Sequence, residues 1–260
     1  MQAEAFIIHL ERAEGRRPQV EALKASLPLP VNVVDAVDGL KLSDSEIDAV
    51  YRRNVHRPRY PFELRAAEVG CFLSHRKAWR EIIDRGLDAG LIVEDDVQPE
   101  GEAFREALTM ALKAIKPGDY VRFPYRSHTD KGRQVGGWTG AMLVEPDHVG
   151  LGMQMQLVGR EAAEELLKAT EIFDRPVDTT IQMRWLTRAR ILSVSPVCIR
   201  QIDHMLGGTV VQKKSKPLSE VISREIKRAW YRLAVRAIVE KRKIGLLKEN
   251  GRRFRDARSS

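Results

Sequence analysis

The sequence predicts an α/β domain with a mainly parallel sheet, followed by a basic α-helical tail. The first reason is pattern: short β-branched apolar runs alternate with stretches of helical periodicity, as in strands joined by helices. The second is size and composition. At 260 residues, 43% hydrophobic and 31% charged, the chain can bury one large core, and collagen-like, low-complexity and wholly disordered classes are excluded. The third is a charge break. From residue 213 onward there are 16 Lys+Arg against 5 Asp+Glu, net +11, whereas residues 1–212 carry 28 against 31, net −3. The run Lys213-Lys214-Ser215-Lys216-Pro217 marks the boundary, giving a 1–212 domain and a 213–260 tail.

Ala5-Phe6-Ile7-Ile8-His9-Leu10 reads as a buried strand, followed by the basic turn Glu11-Arg12-Ala13-Glu14-Gly15-Arg16-Arg17. A helix begins near Pro18, whose fixed φ suits a first helical turn. Val31-Asn32-Val33-Val34 is β-branched between Pro30 and Asp35, hence a strand. Residues 40–64 read as loop and short helix. From Glu68 to Arg85, Phe72, His75, Trp79, Ile82 and Ile83 fall near one helical face. Leu91-Ile92-Val93 is a strand that runs into Glu94-Asp95-Asp96. Helix follows from Gly101 to Ile115, then a strand at Tyr120-Val121-Arg122-Phe123. Residues 124–140, rich in glycine and polar groups, predict a mobile loop. A helix over 160–170, a helix from Thr179 to Thr187 and a strand at Ile191-Leu192-Ser193-Val194 complete the domain.

In such sheets ligands bind beyond the carboxyl ends of strands, which draws attention to Glu94-Asp95-Asp96. Three adjacent carboxylates repel one another unless a cation or water relieves them. Residues i and i+2 of an extended chain share a face, so Glu94 and Asp96 point together and Asp95 away. Hard oxygen ligands suit Mg²⁺ or Mn²⁺ shared with substrate phosphates. The alternative, from the triplet alone, is a solvated acidic turn. Two cysteines, Cys71 and Cys198, have no metal-ligand spacing and point to a reducing compartment. No signal peptide or apolar run of membrane-spanning length is read, so the expectation is a cytoplasmic protein.

Glu68-Val69-Gly70-Cys71-Phe72-Leu73-Ser74-His75, then Trp79, then Leu91 to Val97, resembles the central signature of glycosyltransferase family 25. Leu10-Glu11-Arg12 with Arg16-Arg17, Ala36-Val37-Asp38-Gly39, Leu157 to Ala163, Arg175-Pro176-Val177-Asp178 and Pro196 to Gln201 are similar to its other blocks, in order. The likeness covers about residues 5–204. His9 departs from the usual Asn, Ala67 from a common Gly, and residues 122–140 match nothing.

The resemblance implies a GT-A, Rossmann-like fold, a nucleotide-sugar donor such as UDP-galactose, a lipopolysaccharide or lipooligosaccharide core as glycolipid acceptor, and Mn²⁺ or Mg²⁺. It makes Asp96 the first candidate metal ligand and catalytic group, with Glu94 at the metal or the ribose, and Asp95 at either with less weight. His204 is a third metal candidate by fold-level analogy. Arg12, Arg16 and Arg17 are candidates for uracil or phosphate, or simply a solvated basic turn. Glu68, Ser74 and His75 are candidate donor contacts, with His75 equally suited to the core. Gly70-Cys71 reads as close helix packing. An inverting transfer needs a base; Asp178 is the candidate, with a helix cap as its alternative and Asp38 as rival.

A nucleic-acid- or membrane-binding protein on an inactive transferase-like scaffold is the competing class. Nucleic acid would require a stacking platform or reader motif, and neither is found. Ile222, Ile226, Trp230, Leu233 and Ala237 recur at helical spacing beside Arg224, Lys227, Arg228, Tyr231, Arg232 and Arg236. That pattern predicts a helix lying on an anionic membrane surface at its inner face, or packed on the domain. Lys241-Arg242-Lys243 and Arg252-Arg253 extend the basic stretch.

Overall fold

The computed structural model describes residues 1–126, 130–138, 140–206 and 223–241. The boundary run 213–217, Ile222, Arg242-Lys243 and Arg252-Arg253 lie outside them. The chain divides into two compact units: Met1–Arg53 with Glu63–Gln212, and Asn54–Phe62 with Lys213–Ser260.

The first unit begins with β1 (Ala3–His9), α1 (Arg17–Ser26), β2 (Val31–Asp35), α2 (Asp44–Val50), α3 (Ala66–Asp84) and β3 (Ala89–Glu94). It continues with β4 (Val97–Pro99), α4 (Gly101–Ala114), β5 (Asp119–Arg122), β6 (Gly132–Trp138), β7 (Ala141–Pro146) and β8 (Met155–Gly159). It ends with α5 (Arg160–Ala169), α6 (Val177–Ile181), α7 (Arg184–Thr187), β9 (Arg190–Ser195) and β10 (Ile199–Gln201). Eight strands form one sheet in the order β2-β1-β3-β8-β5-β9-β7-β6, and β4 pairs with β10 apart from it. Six of the eight run the same way; β7 and β8 oppose them. The α/β class with a mostly parallel sheet is therefore the observed one.

β1 and β3 lie inside the sheet and are covered on both faces, which is why they read as continuous apolar runs rather than alternating ones. On one face Ile7, Leu91 and Val93 pack with Val20 and Leu23 of α1 and Phe104 and Leu108 of α4. On the other lies α3. Gly90 of β3 lets it approach: a Cβ there would stand 2.5 Å from Ile82 and 3.0 Å from Phe6. The α3 stripe Phe72, His75, Trp79 and Ile82 is buried as its periodicity predicts, and Phe72 stacks on Phe173 at 3.8 Å between centroids.

Register brings three strand ends level. Ile8 stands opposite Glu94, and His9 opposite Asp35. The segments that follow β1, β2 and β3 thus emerge side by side at one sheet edge.

Two expectations change. Within the mobile loop expected over 124–140, residues 132–138 are instead the strand β6, which pairs antiparallel with β7 through a register shift between Gln134 and Gly136. Its glycines are there for backbone reasons that hydropathy hides. A Cβ on Gly132 would meet the Glu145 carbonyl at 2.1 Å, and Gly137 has φ +117°. Residues 127–129 and 139 lie outside the described residues. The helix expected over 179–187 is two short ones, α6 and α7, with Met183 (ψ 65°) capping the second.

In the second unit a helix, α8, spans residues 223–241. Tyr231 and Val235 on it are buried. The Tyr231 ring meets Tyr60 edge-on at 5.3 Å, and the Arg224 guanidinium lies 4.6 Å from the centre of Phe62. Among the described residues no helix is long and apolar enough to cross a membrane.

Candidate active site

The level strand ends open onto a cavity of about 230 Å³. Ile8 and Leu10 line it at the end of β1, and Arg12, Ala13 and Arg16 from the basic turn. Ala36, Val37, Asp38 and Gly39 follow β2; Ala67, Cys71, Ser74 and His75 come from the first turns of α3; Glu94, Asp95 and Asp96 complete it. Four sequence blocks, at residues 8–16, 36–39, 67–75 and 94–96, thus form one wall in space.

Glycine sets the closeness of that wall. A Cβ on Gly70 would stand 2.6 Å from both the Val37 carbonyl and the Gly39 nitrogen, and one on Gly39 would stand 2.0 Å from the Ala66 carbonyl. The backbones of α3 and the 36–39 turn therefore touch, and Gly70 serves packing as its sequence context suggests. Ser74 fastens the contact. Its hydroxyl donates to the Gly70 carbonyl at 2.7 Å and accepts from the Val37 N–H at 2.8 Å.

The three carboxylates have three different environments. Asp95 has both oxygens engaged: Arg16 Nη1 reaches Oδ1 at 2.5 Å and His9 Nδ1 reaches Oδ2 at 2.7 Å. Glu94 is held by α3, with His75 Nε2 at 3.1 Å from Oε1. Gln156 Nε2 lies 3.3 Å from the other ring nitrogen of His75; with Gln156 donating to Nδ1, His75 donates from Nε2 to Glu94. Asp96 is buried and its Oδ1 has no hydrogen-bond partner. Burial, then the charge of Glu94, raises its pKa to about 7 against the pull of Arg16. A buried carboxylate oxygen without a donor is costly unless something cationic meets it. The donor set, Asp96 with Glu94 beside it, fits a hard divalent cation.

The other expected residues are placed as follows. Arg12 pairs with Asp38 at 2.7 Å, and its side chain is 40% exposed. Burial raises the Asp38 carboxyl, but the hydrogen bonds from Arg12 and the Leu40 N–H outweigh that and hold it below its ordinary value. Asp38 also caps the short 3₁₀ turn Gly39–Lys41. Arg17 is exposed, 3.7 Å from Glu14. Glu68 accepts from the Arg65 N–H at 2.9 Å and so closes the N-terminus of α3; it is not on the cavity wall. His204 is exposed, with Nδ1 3.8 Å from Asp203, and it too lies off the wall.

Asp178 opens α6. Its carboxylate accepts from the N–H groups of Gly152 at 3.2 Å and Thr179 at 2.7 Å. Burial nevertheless pushes its pKa up. Asp178 does not line the cavity, but its charge, with those of Glu94 and Asp96, helps to raise the Cys71 thiol. Cys71 is open to the cavity, yet the protein around it, and then those carboxylates, push its thiol well up. That is the opposite of an activated nucleophile.

Sequence reasoning passed over His9, Gln156 and Asp203. Gln156 is the single polar residue of β8 and His9 ends the apolar run of β1, in each case a signal of buried pairing. Asp203 contributes to raising Asp96, and the Ile202 N–H bonds the Asp96 carbonyl at 2.8 Å. The 201–204 block thus reaches the triplet through Asp203, one residue before the His204 that sequence analysis singled out.

A model of "Glycosyltransferase family 25 (LPS biosynthesis protein)" matches residues 2–133. Human procollagen galactosyltransferase 2 is 38% identical over 115 residues, 43% of this chain and 18% of that protein. The human inactive glycosyltransferase 25 family member 3 is 36% identical over 116 residues, 44% of this chain and 19% of that protein. The chain therefore spans less than a fifth of the length of these relatives. A solved Drosophila β-1,4-galactosyltransferase 7, in complex with manganese, UDP-Gal and xylobiose, aligns with 85% of this chain and 79% of its own at TM-score 0.41 and 10% identity. A likeness of that size says nothing about the chemistry, whereas the sequence match takes in the basic turn, the Gly39–Gly70 contact and the acidic triplet that build the cavity. The chain belongs to glycosyltransferase family 25.

Proposed function

We propose that this protein is a hexosyltransferase that moves galactose from UDP-galactose to a sugar hydroxyl of a lipopolysaccharide-type glycolipid, with inversion, at the cytoplasmic face of a membrane. The observation that carries the reading is the unpartnered, buried Oδ1 of Asp96 beside Glu94 at the carboxyl end of β3. Asp96 and Glu94 would hold the divalent cation, Mn²⁺ or Mg²⁺. When bound, it supplies charge stabilisation for the diphosphate as the glycosidic bond breaks.

The chain's own groups do the rest. Arg16 and Arg12 line the cavity, paired with Asp95 and Asp38, and place guanidinium donors where a diphosphate could accept from them. Asp95 is a brace: tied to β1 through His9 and to the basic turn through Arg16, it fixes the triplet's backbone. His75 aims Glu94. Asp178 takes the proton of the acceptor hydroxyl. The hydroxyl oxygen then bonds the anomeric carbon from the face opposite the diphosphate, and the electron pair of the broken C–O bond leaves with UDP. A carboxylate whose pKa burial has raised is a stronger base than an ordinary one, which suits that step.

The test is UDP-galactose turnover, by hydrolysis in the absence of acceptor, with and without Mn²⁺, alongside the thermal shift produced by UDP. Metal-dependent release of UDP is expected. UDP binding without turnover of any UDP-hexose would overturn the activity and leave a donor-binding scaffold.

A further inference from the structure

α8 carries apolar residues on two faces. One face is turned inward, with Tyr231 and Val235 each 7% exposed. The other is open: Ile226 is 53% exposed, Trp230 71% and Leu233 57%. At 3.6 residues per turn these three and Ala237 fall on one line along the helix. Basic residues flank that line on both sides, Lys227 and Lys241 on one and Arg232 and Arg236 on the other. Contiguous exposed apolar surface of this kind marks an interaction site.

We infer that the Ile226–Trp230–Leu233 face of α8 docks on an anionic lipid surface, lying in the headgroup plane. Charge decides between occupants. Over residues 223–241 there are six basic and two acidic residues; Glu225 and Glu240 share the Arg232–Arg236 side, but the helix keeps a net positive charge, so a second copy would meet net like charge. An anionic bilayer instead meets the flanking Lys and Arg with headgroups while the apolar line enters the acyl boundary. Trp suits that level because its ring is apolar and its N–H is polar. The long basic side chains can bury their stems and keep their charges at the headgroups. The inward face keeps its own contacts: the Tyr231 ring meets Tyr60, and Arg228 pairs with Glu225 and lies 5.7 Å from the Phe62 ring. Neither has to be broken for the outer face to dock. Lipid docking does not depend on the transferase reading, and a chain that turns over no sugar would still bind.

The experiment is co-sedimentation of the full-length protein with phosphatidylcholine vesicles with and without phosphatidylglycerol, across a salt series. The expected result is binding that requires the anionic lipid and weakens as salt rises. Trp230→Ser with Leu233→Ser removes the apolar line, and Lys227→Gln with Arg236→Gln removes flank charge. Each pair should lower the vesicle partition coefficient by about tenfold or more. All four positions are exposed, and unchanged circular dichroism confirms that the variants are folded. Equal sedimentation of wild type and both variants overturns the proposal, as does binding to neutral vesicles alone. A concentration-dependent doubling of mass that Trp230→Ser/Leu233→Ser abolishes, without vesicle binding, overturns it in favour of self-association.

Discussion

Asp95 and Asp96 are adjacent in sequence and opposite in environment: Asp95 has a side-chain partner on each oxygen, Arg16 on one and His9 on the other, while Asp96 keeps a buried oxygen with none. Both lie in the turn that follows β3, not in the strand, so the alternation expected of an extended triplet does not hold and all three carboxylates line the cavity. The turn gives the Asp95 carboxylate to His9 and Arg16 and leaves the Asp96 Oδ1 without a donor.

Asp96→Asn separates ligand and stability roles. In the metal-free protein the Asp96 pKa is raised to about 7 from 3.8. Between about pH 4 and 7 the native state therefore holds a proton that the unfolded chain has released, and stability falls as pH rises through that window. At about 1.4 kcal/mol per pKa unit the loss is a few kcal/mol by pH 8. Asp96→Asn should remove that slope, making the metal-free variant the more stable protein at pH 8, while abolishing stabilisation by Mn²⁺ and UDP-galactose turnover. Denaturation at pH 5 and pH 8, with and without Mn²⁺, reads both effects. A wild-type stability that does not fall with pH would contradict the assignment.

Asp178→Asn should lower kcat by about 10²–10⁴-fold and leave donor affinity, measured by calorimetry, unchanged. Because burial raises this pKa, the acid limb of the wild-type rate profile should lie above that of an ordinary aspartate and disappear in the variant. A variant that loses thermal stability but keeps kcat would make Asp178 a helix cap.

Arg16→Met leaves the buried Asp95 carboxylate without its cation; the two side chains are 12% and 7% exposed. Breaking such a pair on one side costs about 3–5 kcal/mol. Asp95→Asn added to it removes the stranded charge and keeps an acceptor for His9, so the double variant should recover more than half of the loss. Urea denaturation of the two single variants and the double one closes the cycle. No recovery would show that Arg16 acts through its packing alone.

Gly70→Ala should cost about 1–3 kcal/mol, since its methyl group would sit 2.6 Å from backbone atoms that cannot swing away. A fall of about 2–4 °C in Tm per kcal/mol is expected, with weaker UDP binding because Val37 and Asp38 line the cavity. An alanine variant as stable as the wild type would show that α3 and the 36–39 turn are free to separate.

Much of the sheet was legible because β1, β2 and β3 are short apolar runs with clear breakers, and α3 has a strong period. Each lands within two residues of its expected start. The β6–β7 hairpin was not, because the glycines that permit its bulge and close pairing erase the alternation that announces a strand. In the site, the acidic triplet and the basic turn were readable as residue types. Their division of labour was not. That Asp95 is spent on His9 and Arg16 depends on the parallel register of β1 and β3, a pairing between positions 86 residues apart. Glu68 carried equal weight with His75 in the signature, but it closes a helix end while His75 aims a carboxylate.

The hydrogen bond from Ile202 to the Asp96 carbonyl, continued by the β4–β10 ladder, has a consequence for biosynthesis. A ribosome has made β1, β2, α3 and β3 by residue 94, so the Gly39–Gly70 contact and the parallel strands can assemble early. The segment that fixes Asp96 and brings Asp203 beside it comes more than a hundred residues later, and contacts of such long sequence separation form slowly. A nascent chain would therefore carry a shaped but incompetent pocket until its last body strand has emerged. Donor and metal would favour the finished molecule over every shorter intermediate.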